Sequence, residues 1–162
     1  MRAAISASLV MVSLLGVARG GGFAQEAPPE LVGPLTQELI FEALPEWQDR
    51  MVAYEPRLDV VAALKDVADF VQIEVYLGSW CSDSAVQIPA FIQVLNLVNS
   101  PQIQATYMGV PEAQEARGAY IAGKEIEKIP TFIILVNGLE KGRIVEKPAV
   151  SIEEDLLALI RL

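Results

Sequence analysis

The chain has 162 residues, 52% apolar and 20% charged, a balance that suits one globular domain with its own core and excludes a disordered polymer. A formal net charge of −9 gives no electrostatic basis for binding nucleic acid or an anionic membrane surface. Histidine is absent, which removes Cys-His pairs, Ser-His-Asp triads and His-ligated metals together, and no metal or cofactor is expected.

The N-terminus carries Arg2, then an uncharged run from Ala3 to Ala18, then small residues with Gly22 and Ala24 at the −3 and −1 positions of a cut before Gln25. That is the layout of a secretory signal peptide over residues 1–24, and it predicts export to the periplasm or beyond the cell. The uncharged run is short for a membrane span of about 20 residues. "QEAPPELVGP", residues 25–34, reads as a Pro-rich extended leader, which places the folded domain at 35–162.

Helical pieces punctuated by proline follow. "LTQELIFEAL" stops at Pro45, which can itself open "PEWQDRMVAY". After Pro56, Leu58, Val61, Leu64 and Val67, with Val60 and Ala68 alongside, recur at helical spacing, so that face is expected to be buried. In "VQIEVYL" the pattern switches to strict alternation, with Val71, Ile73, Val75 and Leu77 on one face of a strand that ends at Gly78. A long helix comes next, with Ser79, Ser82 and Asp83 as candidate caps and Pro89 inside it.

"PQIQATYMGV" reads as a second strand and "PEAQEARGAYIAGKEI" as a weakly helical or irregular piece. "IPTFIILVNG" is a buried strand closed by Asn137-Gly138, and "GRIVEK" is its antiparallel partner. Ser151 and Glu154 form the S-x-x-E signature that opens a last amphipathic helix. Strands alternating with helices predict an α/β layered domain, with helices covering a mixed central sheet; the crossovers require parallel strands and the Asn-Gly turn an antiparallel pair.

Cys81, the only cysteine, lies where the first long strand gives way to a helix. Backbone N–H groups at a helix start stabilise a thiolate, and Ser82 and Ser84 could donate to the sulfur, whereas Asp83 opposes it; a moderately acidic thiol is expected. In an oxidising compartment a single cysteine is an inert buried thiol, a reactive thiol, or half of an intermolecular bond.

Trp80-Cys81, a proline eight residues after the cysteine (Pro89), and "KIPTFIILVNG" opening a later strand together resemble the thioredoxin family from about Ala53 to Leu162. That family carries W-C-x-x-C at a strand-to-helix junction and a cis-proline before threonine. The resemblance implies a thioredoxin-like fold, a cis peptide at Pro130, and Cys81, Trp80 and Ser84 at the catalytic position. It also implies that Ile129, Pro130 and Thr131 form a substrate-binding loop, across which an extended or unfolded polypeptide would lie on a mostly apolar surface.

Three departures limit what is implied. Ser84 stands where the family has its second cysteine, so the step in which a partner thiol releases the product is missing. Val75 stands where the family has a buried acid, and alternation turns the nearby Glu74 to the other face, toward a polar contact beneath a helix. Pro148 falls near a position where the family has glycine beside the groove. The expectation is a monothiol, C-x-x-S protein that forms mixed disulfides with polypeptide partners and needs an external resolving thiol. The alternatives are a redox-inactive peptide-binding module and a sensor whose lone thiol is oxidised or joins two copies. A self-sufficient dithiol reductase is excluded by thiol count.

Overall fold

The computed structural model describes residues 29–162; the expected signal peptide and the first residues of the leader lie outside this range. Strand β1 (Gly33–Leu35) precedes helices α1 (Gln37–Ala43), α2 (Pro45–Ala53) and α3 (Leu58–Lys65). Then come β2 (Val71–Leu77), α4 (Ser84–Val98), β3 (Ile103–Gly109), a short α5 (Gly118–Ile121), β4 (Thr131–Val136), β5 (Leu139–Val145) and α6 (Ile152–Ile160). The five strands form one mixed sheet in the order β1-β3-β2-β4-β5.

Local chemistry sets most boundaries. Thr36 Oγ1 accepts the Leu39 N–H to cap α1, and Pro45 opens α2, where its missing N–H costs nothing. Ser151 Oγ accepts the Glu154 N–H at 3.3 Å to open α6. Asn137 and Gly138 both take positive φ, as a two-residue hairpin turn demands.

Val71, Ile73, Val75 and Leu77 of β2 face a core built with α1–α4 and α6, in which Ile40, Leu64, Ile92 and Phe132 have no measurable exposure. Phe91 meets Tyr107 and Phe132 edge-on or tilted there, with centroids 6.3 and 5.1 Å apart. Burial pushes the Tyr107 hydroxyl up to about 12, although its bond from Gln37 opposes the shift. The other sheet face is covered too: Tyr76 and Ile133 pack with Val110, Ile126 and Ile129 from the segment between β3 and β4.

Three expectations change. The leader does not simply hang off the domain: residues 33–35 pair antiparallel with β3, and Gly109 lets Leu31 approach so closely that a Cβ there would lie 2.3 Å from the Leu31 oxygen. Of the helical face read after Pro56, Val60, Val61 and Leu64 are buried, but Leu58 is exposed, because α3 begins beyond Pro56 with Arg57 as its N-cap and Leu58 stands at its first position. Only β2 and β3 are parallel; β4 runs antiparallel to β2. The α5 segment contains no helix long enough to carry the chain back down the sheet, so β4 starts at the end where β3 finished.

Candidate functional site

The ends of β2 and β3 and the start of β4 meet at one edge of the sheet: Leu77 is opposite Gly109, and Tyr76 opposite Thr131. The loop Gly78–Asp83 leaves β2 at this edge, turned by a bond from the Cys81 N–H to the Gly78 carbonyl. The Cys81 carbonyl accepts the Ala85 N–H at 3.0 Å, so helical bonding reaches back to the cysteine. Of the candidate caps, Asp83 occupies the N-cap without a side-chain capping bond, and its carboxylate lies 3.3 Å from Lys147 Nζ. The acid two residues from the thiol thus has a solvent-exposed cation facing it.

The Ile129–Pro130 peptide is cis. This brings the Ile129 carbonyl to the half-buried Cys81, whose Sγ donates to it at 3.3 Å. Thr131 is buried and braces the same loop by donating to the Lys128 carbonyl at 2.6 Å, and the Pro130 carbonyl accepts the Glu146 N–H at 2.7 Å. The structure therefore brings Cys81, Ile129 and Pro130 together, with Thr131 supporting them from below. Ile129 and Pro130 are themselves buried, so the loop offers its backbone more than an open apolar surface.

Trp80 forms the adjoining wall. Its Nε1 donates to the Val110 carbonyl at 2.9 Å, and the Arg117 guanidinium stacks over the ring 4.8 Å from the centroid. Gly78 makes room for the ring: a Cβ there would sit 2.6 Å from a Trp80 carbon. Ser84 has no measurable exposure, and its Oγ accepts the Gly78 N–H at 3.2 Å. Its hydroxyl fixes the end of β2 and makes no bond to the sulfur.

Sequence reading missed the role of Ser79. Its buried hydroxyl accepts the Leu31 N–H at 2.9 Å and donates to the Pro29 carbonyl at 2.7 Å, tying the incoming chain to the residue before Trp80. It had read as a helix cap, and no local pattern could have paired it with a segment 48 residues away. Glu74 does make a polar contact on the second sheet face: Lys124 Nζ lies 2.6 Å away and the Tyr76 hydroxyl donates to it. Burial first, then the Glu74 charge, push the Tyr76 hydroxyl up to about 12.

On the flank of Cys81 away from the cis-proline loop, a groove of about 600 Å³ opens between the end of α2 and the first turns of α4. Ser82, next to the cysteine, lines it with Arg50, Tyr54, Ala85 and Val86. Pro89 lacks the N–H that would bond the Ala85 carbonyl, and Arg50 Nη1 donates to that oxygen instead, at 2.7 Å. Beside the groove the buried Glu153 accepts from the Tyr54 hydroxyl at 2.8 Å and the Arg57 N–H at 3.0 Å.

A strand-loop-helix with Trp-Cys at its turn, facing a cis-proline across the sheet edge, defines a thioredoxin-like domain. A thioredoxin family model matches residues 42–156, and the chain belongs to that family. No curated protein matches the chain. Among solved structures it is similar to a protein of unknown function from Pseudomonas aeruginosa, with 18% identity and a TM-score of 0.54 over 72% of this chain and 81% of that one. An HIV epitope scaffold is similar to the same extent of coverage, at 18% identity and a TM-score of 0.53. At this identity both likenesses concern the fold.

Proposed function

We propose that this is an exported, monothiol thioredoxin-like protein that captures extended polypeptide partners as mixed disulfides through Cys81. The observation that carries the reading is the contact between Cys81 Sγ and the Ile129 carbonyl beside the cis Pro130, with the lone cysteine half-exposed at the sheet edge. Loss of the thiol proton frees that carbonyl, and the backbone of Ile129 becomes available to pair with a partner strand, the loop being held by Thr131.

In the forward step the Cys81 thiolate attacks one sulfur of a partner disulfide. A new S–S bond forms between Cys81 and the partner, the old S–S bond breaks, and the departing sulfur leaves as a thiolate that takes up a proton. With Ser84 in place of a second thiol, release requires an external thiol. Its sulfur attacks the partner's sulfur, keeps the partner as a new mixed disulfide, and returns Cys81 to the thiolate. Trp80 shields one side of the reacting sulfur.

Export belongs to the same reading and rests on the layout of residues 1–24. Among the described residues no helix is long and apolar enough to cross a membrane. The mass of the protein recovered from the exporting cell tests this, with an N-terminus at Gln25 as the expected result.

The test of the chemistry is to trap covalent complexes in the exporting cell with wild type and with Cys81→Ala. Adducts that depend on Cys81 and collapse on reduction support exchange; their absence leaves a binding module. That second reading has its own support, since the groove beside Ser82 does not involve the sulfur.

A further inference from the structure

We infer that the groove between α2 and α4 is the specificity subsite of this protein, and that it takes a large apolar side chain followed by a carboxylate from an extended partner segment. The inference rests on the polypeptide-facing reading proposed above and names the class of segment recognised.

Three observations converge. First, the groove reaches the loop that carries the thiol: Ser82, the residue after Cys81, is part of its lining. Across the thiol, Ile129 and Pro130 are buried, whereas Val86 on the groove side is 56% exposed in the first turn of α4. Val86 thus gives this flank an exposed aliphatic side chain that the buried Ile129 and Pro130 do not offer.

Second, the cavity is shaped to receive a side chain. Ala53, Ala85 and Ala90 keep its walls low, and about 600 Å³ is enough for a leucine or phenylalanine with its backbone. The Tyr54 hydroxyl is already committed to Glu153, so what Tyr54 has left to offer the groove is its ring.

Third, the charge at the rim is held in place. Pro89 leaves the Ala85 carbonyl without a helical donor, and Arg50 Nη1 fills that place. Among the described residues no carboxylate lies within ion-pair distance of Arg50; Lys65, Arg117, Lys141 and Arg161 are likewise without one, but Arg50 alone of these lines the groove. A fixed guanidinium with donors to spare, at the mouth of an apolar groove on an otherwise acidic protein, complements a carboxylate on the segment that enters.

The test uses short, cysteine-free, fluorescein-labelled peptides carrying Leu-Asp, Leu-Lys or Ser-Asp in a common host, with binding read by anisotropy against the full mature chain. Leu-Asp should bind best, Leu-Lys about threefold more weakly and Ser-Asp about tenfold more weakly. Val86→Asp should weaken Leu-Asp binding about tenfold. Arg50→Gln, which keeps a donor for the Ala85 carbonyl, should erase the difference between Leu-Asp and Leu-Lys. Leu139→Asp, at the opposite end of the sheet, should bind like wild type.

Equal binding of the three peptides, or wild-type binding by Val86→Asp, overturns the inference. So does a dimer in gel filtration that Val86→Asp dissociates, because the groove would then belong to a second copy. Labelling of Cys81 by a small aromatic disulfide is measured alongside. A reactive thiol without peptide discrimination sinks the subsite and spares the exchange reading; peptide discrimination with an inert thiol does the reverse.

Discussion

Ser84 Oγ accepts the backbone N–H of Gly78 at 3.2 Å, in a place with no measurable exposure to solvent. Ser84, three positions after Cys81, is therefore a structural tie between the first turn of α4 and the end of β2. Removing it by Ser84→Ala leaves a buried donor without an acceptor, and about 1–3 kcal/mol of stability should be lost. Urea unfolding measures it; an unchanged midpoint would show that the Gly78 N–H finds another acceptor.

Ser84→Cys should change the chemistry. A thiol three positions after Cys81, at the start of α4, completes the spacing of a dithiol site. After mild oxidation the variant should show no free thiol where wild type shows one, and mixed disulfides formed by Cys81 should resolve without added thiol. A persistent pair of free thiols would mean that this loop holds the two sulfurs apart.

Gly78→Ala should act through Trp80. The new Cβ would fall 2.6 Å from the indole, and the ring must swing away from the Val110 carbonyl and from Arg117. Acrylamide quenching of Trp80 should rise, with about 1–3 kcal/mol lost from the strained loop. Trp47 is buried and gives a constant background, so a quenching change reports on the site.

Acid stability should depend on Glu153. Burial pushes its carboxyl up, but hydrogen bonds from the Arg57 backbone and the Tyr54 hydroxyl outweigh that effect and hold it below its ordinary value of 4.5. A depressed folded-state value means that the stabilisation is complete above pH 4.5 and is lost as the pH falls through the lower folded-state value. Tyr54→Phe removes one of these bonds and narrows the gap between the folded and unfolded values, so the fall in melting temperature on acidification should be shallower than in wild type. Near neutral pH the variant should also be less stable by about 1–3 kcal/mol, because one buried carboxylate oxygen loses its donor. An acid limb identical to wild type would show that Glu153 does not govern it.

Short-range pattern was enough to place β2 over Val71–Leu77, because alternation over seven residues against one core face has no helical counterpart. The Asn137-Gly138 hairpin, the proline that opens α2 and the Ser151 cap were equally legible, since each rests on the backbone chemistry of one or two residues. So was the loop that carries Cys81, where Trp80, Pro89 and Ile129-Pro130 keep a recognisable spacing. Tertiary structure alone decided the rest. The three residues of β1 have no period of their own and become a strand only because β3 presents an open edge. Alternation puts Tyr76 on the second face of β2 without saying what covers it; it is buried because the segment before β4, mostly irregular, closes over that face. Burial of Ser84 and of the Ile129–Pro130 loop, the rescue of the Ala85 carbonyl by Arg50, and the groove that follows are long-range packing outcomes. Each joins groups far apart in the chain, where local propensity carries no information, and together they decide which flank of Cys81 is open.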